Sequence, residues 1–238
     1  YVIVASISYL YSAHIFDKPL NPILGETYQA RLEDGTDILM EQVSHHPPIS
    51  YMLVEGPNGL YRMSSYSSFS PKAHINSIDL NVVGMKTVVF HDGSSIRFNP
   101  MGDTFKNTLW GGNLVHQIVG RAEFVDEASG ITAYYNIGNG GVKKNPMDYF
   151  KGQILRNGEP VCEIFGNYMG YMDFDGKRYW DVRRCPHFDP VAIRSEERAT
   201  PSGQIPLQLP SDTTLRSDAV TLLAGDVEQA QVNKNAME

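Results

Sequence analysis

A chain of 238 residues with 42% apolar and 11% aromatic side chains has a globular composition, able to bury roughly 70% of its unfolded surface. Its net charge of −7 and pI near 5.5 exclude a broad basic face for nucleic acid, so any anion site must be a local basic pocket. No run reaches the ~18 consecutive apolar residues of a membrane-spanning helix. Cys162 and Cys185 lack any zinc spacing and read as reduced thiols of a cytoplasmic protein.

Tyr1–Ala13 is apolar and small-residue rich, without a basic leader or an initiating methionine, and reads as the interior of a longer chain. Ala5–Ala13 is predicted as a short helix feeding the loop that opens at Lys18. In Lys18-Pro19-Leu20-Asn21-Pro22-Ile23-Leu24-Gly25-Glu26 the two prolines fix two φ angles, so the loop is ordered before any ligand arrives. Turn signals then recur at even spacing. Asp34-Gly35 separates strands Glu26–Leu32 and Asp37–Val43, and Gly56–Gly59 separates Ser50–Val54 from Leu60–Ser65. Asp92-Gly93 separates Lys86–His91 from Ser94–Phe98. Asn157-Gly158 divides Tyr149–Leu155 from Pro160–Phe165, and Asp175-Gly176 divides Asn167–Met172 from Arg178–Val182. Asp-Gly and Asn-Gly supply the positive φ of tight hairpin turns.

A meander this long must curl to protect its edges. The expected fold is mainly β, a large and incomplete antiparallel barrel with short N-terminal and C-terminal helices, forming one domain over residues 1–238. The loop Gly138–Lys144 lacks the spacing of a phosphate cradle and reads as an exposed hairpin loop whose Lys143 and Lys144 touch anionic membrane. Residues 195–217, polar and interrupted by Pro201, Pro206 and Pro210, read as a long surface connection. Asp226 is the expected N-cap of a terminal helix on which Lys234 and Glu238, four apart, share a face.

The strongest local signal is Glu41-Gln42-Val43-Ser44-His45-His46-Pro47-Pro48. Neighbours on an ideal strand point to opposite faces. Pro47 and Pro48 break that rule by withdrawing two N–H groups and fixing the backbone that follows. The run therefore reads as a strand breaking at a rim, where both imidazoles turn toward one anion, a phosphate being the natural guest. Such a site should hold its ligand more tightly at pH 6 than at pH 8. The alternative use of His45 or His46, as general acid or base of a phosphoesterase, lacks a nucleophile elbow at Ser44 and a carboxylate cluster. His14, His74, His91, His116 and His187 are scattered, and no metal site is expected.

Taken together, K-P-x-N-P-x-L-G-E from Lys18 and E-Q-V-S-H-H-P-P from Glu41 resemble the signatures of the oxysterol-binding-protein-related family of lipid-transfer proteins. The resemblance is tight over residues 14–50, looser to about Asp181, and visible again near the C-terminus. It implies recognition of phosphatidylinositol 4-phosphate, with its monoesterified phosphate on Lys18, His45 and His46. Asn21 would touch the headgroup by its side chain and Leu20 by its backbone. Lys234 and Glu238 would complete the site from the terminal helix, with Glu26 an orienting or structural carboxylate, or alternatively a further headgroup contact. The chain as given ends at Glu238, before the position where the family carries an arginine. Hydrogen bonds to charged groups contribute roughly 1.5–3 kcal/mol each, so two imidazoles and a lysine can dominate recognition of a compact dianion.

The resemblance further implies exchange of this phosphoinositide for a sterol or another lipid such as phosphatidylserine. No enzyme chemistry and no cofactor are involved. The setting would be cytoplasmic, at transient membrane surfaces or membrane contact sites. The domain would be truncated at both ends and would lack the family's N-terminal lid. That predicts headgroup recognition with weak extraction, since each exposed CH₂ gives up about 0.8 kcal/mol of burial. A non-transferring phosphoinositide sensor or scaffold is the alternative.

Overall fold

The computed structural model describes residues 1–10, 20–138, 148–185, 198–200, 203–205 and 209–237. A short helix, α1 (Val2–Leu10), is followed by β1 (Thr27–Arg31), β2 (Asp37–His45), β3 (Pro48–Glu55) and β4 (Tyr61–Ala73). Then come β5 (Ser77–Phe90), β6 (Ser95–Phe98), β7 (Gly102–Lys106), β8 (Val115–Asp126) and β9 (Ile131–Ile137). The meander continues through β10 (Tyr149–Arg156), β11 (Glu159–Asn167), β12 (Tyr171–Phe174) and β13 (Lys177–Asp181). A hairpin, β14 (Arg198–Thr200) and β15 (Gly203–Ile205), precedes α2 (Ser217–Leu223) and α3 (Val227–Met237). Strand order follows the chain from β1 to β13, except that β7 lies off the path and pairs with both β5 and β8. The protein is thus mainly β, a large antiparallel sheet with short helices at both ends.

The chain divides into two compact units, one of Tyr1–Asp17 and Ser67–His187, the other of Lys18–Tyr66 and Phe188–Glu238. In the first, an aromatic row forms the core. Phe98 stacks on Phe124 at 5.0 Å, Phe124 meets Tyr135 at 5.7 Å, and Tyr135 meets Phe150 at 5.7 Å. Ile7 and Leu10 of α1 are buried, and the Ser6 hydroxyl lies 3.3 Å from that of Tyr135. Close strand contact requires glycine at Gly152. A Cβ there would collide with the backbone carbonyl oxygen of Tyr134 on β9.

The second unit has a different interior. Its buried residues include Gln29, Thr36, Asp37, Gln42, Asp212, Arg216 and Asp218, with Ala30 and Ala230 among its few buried apolar ones. Buried polar groups persist only when hydrogen-bonded, and here they link segments far apart in sequence. Asp212 accepts from the backbone N–H of Gln29 and Thr214, and the Leu209 N–H donates to Gln29 Oε1.

The glycine turns fall where expected, with φ of +88° at Gly35, +84° at Gly93, +87° at Gly158 and +77° at Gly176. The helix expected at Ala5–Ala13 begins earlier, at Val2, and residues 11–13 lie outside the described residues. Lys18, Lys143, Lys144 and Glu238 also lie outside them. Two expectations are corrected. Asn167–Met172 is not one strand: β11 ends at Asn167, and the chain turns so that Tyr168 is buried with its hydroxyl donating to Asp148 Oδ1 at 2.7 Å. The stretch 195–217 is not a mere surface connection, because it carries β14, β15 and the buried Asp212 and Arg216. Polar composition concealed this, since Asp212 and Arg216 are buried by virtue of their partners.

Candidate functional site

The histidine pair sits at the tip of the β2–β3 hairpin in the second unit. His45 pairs with Pro48 as the last ladder step, leaving His46 and Pro47 as the turn, with a cis His46–Pro47 peptide bond. The register shifts between Gln42 and Ser44, which leaves Val43 as an extra residue. Such a bulge re-aims the side chains beyond it. The two rings come together, centroids 4.6 Å apart and edge to face. His45 is half-buried and His46 exposed. Two imidazoles so placed offer ring N–H groups to one small anion.

Gln42, buried beneath this tip, fixes the bulge. Its Nε2 donates to the Ser44 carbonyl at 2.7 Å, and its Oε1 accepts from the Ser50 hydroxyl. Its backbone joins β2 to the proline-rich loop: Gly25 N–H donates to Gln42 O at 2.8 Å, and Gln42 N–H donates to Glu26 O at 2.9 Å. The loop over residues 20–26 is therefore tied to the histidine strand three positions before His45.

A third segment locks the same loop. Arg216, buried just ahead of α2, donates from Nη1 to the Asn21 carbonyl at 2.9 Å and to Glu26 Oε2. Its Nε and Nη2 form a fork onto the fully buried Asp218. Burial opposes the Arg216 charge, but the hydrogen bond to Asp218 and the attraction of Glu26 outweigh it and raise its pKa above the ordinary value. Glu26 Oε2 also accepts from the Ile23 N–H at 2.8 Å, closing the loop on itself.

Of the residues singled out from sequence, the structure brings together His45, His46 and, through Gln42, the loop carrying Leu20, Asn21 and Glu26. Leu20 is half-buried and Asn21 exposed. Glu26 is paired with Arg216 and accepts from the Ile23 N–H. Lys234 is half-buried near the end of α3, in the same unit. Asp226 caps that helix, accepting from Gln229 N–H at 3.0 Å. Sequence reasoning missed Arg216 and the supporting role of Gln42. The one signal for Arg216 was an arginine two residues before an aspartate at a helix start, too short to stand out.

The first unit holds a cavity of about 130 Å³ whose lining includes Tyr9, Phe69, Lys86, Phe98, Ile118 and Tyr135. The Lys86 ammonium lies 4.6 Å from the centre of the Tyr9 ring and 5.9 Å from that of Phe98. Among the described residues it forms no salt bridge, and burial lowers its pKa. Among those residues, too, no three His, Cys, Asp or Glu side chains gather to hold a metal, and no helix is long and apolar enough to cross a membrane.

This architecture and motif set define a class. The sequence model of the oxysterol-binding protein family matches residues 1–238, and the chain belongs to that family. The family binds and transfers lipids and is not one of enzymes, which removes the phosphoesterase reading of His45 and His46. Similar relatives include oxysterol-binding protein 9 of Dictyostelium discoideum, 29% identical over 93% of this chain and 54% of its own length. Oxysterol-binding protein-related protein 3B of Arabidopsis thaliana is 28% identical over 98% of this chain and 54% of its own. The chain thus spans about half the length of these curated relatives. Among solved structures, the Osh1 ORD domain in complex with ergosterol matches with a TM-score of 0.80 at 22% identity, covering 99% of this chain and 63% of that one. The Osh3 ORD of Saccharomyces cerevisiae in complex with PI(4)P matches with a TM-score of 0.78 at 22% identity, covering 99% of this chain and 67% of that one. At such identity these structures establish the fold.

Proposed function

We propose that this chain binds phosphatidylinositol 4-phosphate through its second unit and takes part in exchanging it for a sterol or another lipid such as phosphatidylserine between membranes. The observation that carries the reading is the convergence of His45 and His46, centroids 4.6 Å apart, on a hairpin tip braced by the proline-rich loop. The two imidazoles hold the monoesterified phosphate, together with Lys18. Asn21 and the Leu20 backbone touch the headgroup, and Lys234 and Glu238 contribute from the C-terminal end. Glu26 orients the loop. No covalent step is needed.

Support comes from the family and from its solved members, one bound to PI(4)P and another to ergosterol. The protein works in the cytoplasm, visiting membrane surfaces and contact sites. The test is extraction of phosphatidylinositol 4-phosphate from vesicles beside titration with its soluble short-chain form. Binding of the soluble lipid with strong extraction supports exchange. Binding without extraction would reduce the chain to a phosphoinositide sensor, and no binding of either would overturn the reading.

A further inference from the structure

Four large apolar side chains stand in solvent at one end of the first unit. Ile75 is 79% exposed, Leu109 72%, Trp110 57% and Leu114 54%. They lie on two loops: the turn His74–Asn76 between β4 and β5, and residues 107–114 between β7 and β8. Both belong to the first unit. Isolated exposed apolar residues need no explanation, but a cluster marks an interaction site.

The loops are built to hold this display. Asn76 Oδ1 accepts from the N–H of Leu109 at 2.9 Å and of Trp110 at 3.1 Å, and its Nδ2 donates to the Trp110 carbonyl at 2.7 Å. Thr108 N–H donates to Asn76 O at 3.3 Å, and Asn107 Nδ2 donates to Asn113 O at 3.1 Å. One asparagine therefore clasps the two loops into a single tip. Gly111 and Gly112, at φ +95° and +116°, carry the backbone past it in a region closed to other residues. A Cβ on Gly111 would lie 3.3 Å from Asn107 Oδ1, so the tip is also tightly folded.

We propose that this tip is a membrane-docking element for an anionic lipid surface. Charge selects that occupant. Neither loop contains an acidic residue. Exposed Lys72 precedes the first loop, and exposed Lys106 ends β7 where the second begins. The nearby carboxylate of Asp79 is engaged by His74 Nε2 at 2.9 Å and by the Thr104 hydroxyl at 2.8 Å. Asp103, the other carboxylate on β5 and β7, pairs with His116 Nε2 at 2.8 Å below the tip, so in a chain of net charge −7 the two loops themselves carry no acid and have a lysine at the foot of each. Indole favours the lipid–water interface, and each Lys or Arg near an anionic leaflet adds attraction. The choice of a bilayer rests on the lipid-binding reading above, while the placement of the tip stands on its own geometry.

The test uses the whole chain with phosphatidylcholine–phosphatidylserine vesicles and with pure phosphatidylcholine vesicles, both free of phosphoinositide. Trp180 is buried and Trp110 exposed, so bilayer insertion should blue-shift the emission and expose it to quenching by brominated lipid. Leu109→Ser/Trp110→Ser should lower partitioning onto the anionic vesicles by about tenfold or more. Lys72→Glu/Lys106→Glu should reduce binding to anionic vesicles and leave the weaker binding to neutral ones unchanged. Both variants should titrate soluble phosphatidylinositol 4-phosphate as the parent does, which certifies their fold and separates docking from headgroup capture. Unchanged partitioning in the Leu109/Trp110 variant would overturn the proposal. So would a parent that ignores vesicles but forms a dimer broken by that variant, because the patch would then belong to a second copy. Docking by a parent that binds no phosphoinositide would sink the earlier reading and leave this one standing.

Discussion

Replacing Arg216 by methionine should damage stability first and ligand affinity second. Arg216 is 6% exposed at its side chain and bridges Asn21 O, Glu26 and the fully buried Asp218. Methionine keeps most of the volume but leaves Asp218 with the Ala219 N–H, at 2.8 Å, as its one remaining hydrogen-bond donor among the described residues. Breaking a buried ion pair from one side costs about 3–5 kcal/mol, a large share of the roughly 5–15 kcal/mol that holds a domain folded. At about 2–4 °C per kcal/mol for a chain of this size, the melting temperature should fall by roughly 6–20 °C. Arg216→Met/Asp218→Leu removes the orphaned carboxylate and should recover at least half of that loss. Below the transition, loop 20–26 would have to be ordered by the ligand itself. One newly ordered side chain costs about 0.5–1.5 kcal/mol, so affinity for soluble phosphatidylinositol 4-phosphate should drop about two- to tenfold. Thermal denaturation followed by circular dichroism, with calorimetric titration at a low temperature, measures both. A melting temperature within about 2 °C of the parent would refute the reasoning, because it would mean that the buried carboxylate never depended on the guanidinium.

Other consequences can be checked separately. Gln42→Leu strips the hydrogen bonds to Ser44 O and Ser50 Oγ; it should cost about 1–3 kcal/mol and weaken phosphoinositide binding in a chain that still folds, read by denaturation and titration. Lys86→Met removes a buried ammonium whose pKa burial lowers. The unfolded chain then holds more protons than the folded one between the lowered value and the ordinary one near 10.5, so parental stability should rise with pH across that window. The variant should therefore melt higher than the parent at neutral pH, with the gap closing as pH approaches 10.5, and a gap that widens would contradict the account. Gly152→Ala, whose Cβ would meet the Tyr134 carbonyl, should abolish the β9–β10 ladder and yield insoluble protein. Soluble protein with native circular dichroism would show that β9 and β10 can separate.

Much of the fold was readable because glycine announces hairpins. Asp34-Gly35, Asp92-Gly93, Asn157-Gly158 and Asp175-Gly176 all close turns between paired strands. Turns without that signature were not legible. The reversal at His74–Asn76 is closed by a backbone bond from His74 N–H to Ser77 O, with no glycine. The chain therefore gave no sign that β4 and β5 run for 13 and 14 residues. At the site, the His45-His46-Pro47-Pro48 run carried its own geometry, since proline acts locally. Arg216 did not, because its partners Asn21 and Glu26 lie 195 and 190 residues away, and a buried ion pair leaves no periodicity in the sequence.

The central claim is that His45 and His46 hold the phosphate of phosphatidylinositol 4-phosphate. Calorimetric titration of the soluble short-chain lipid into the parent and into His45→Ala/His46→Ala tests it most directly, with circular dichroism to show that both are folded. The account predicts saturable one-to-one binding by the parent and no measurable binding by the folded variant. A folded variant that binds as the parent does would contradict the claim and move the phosphate site elsewhere.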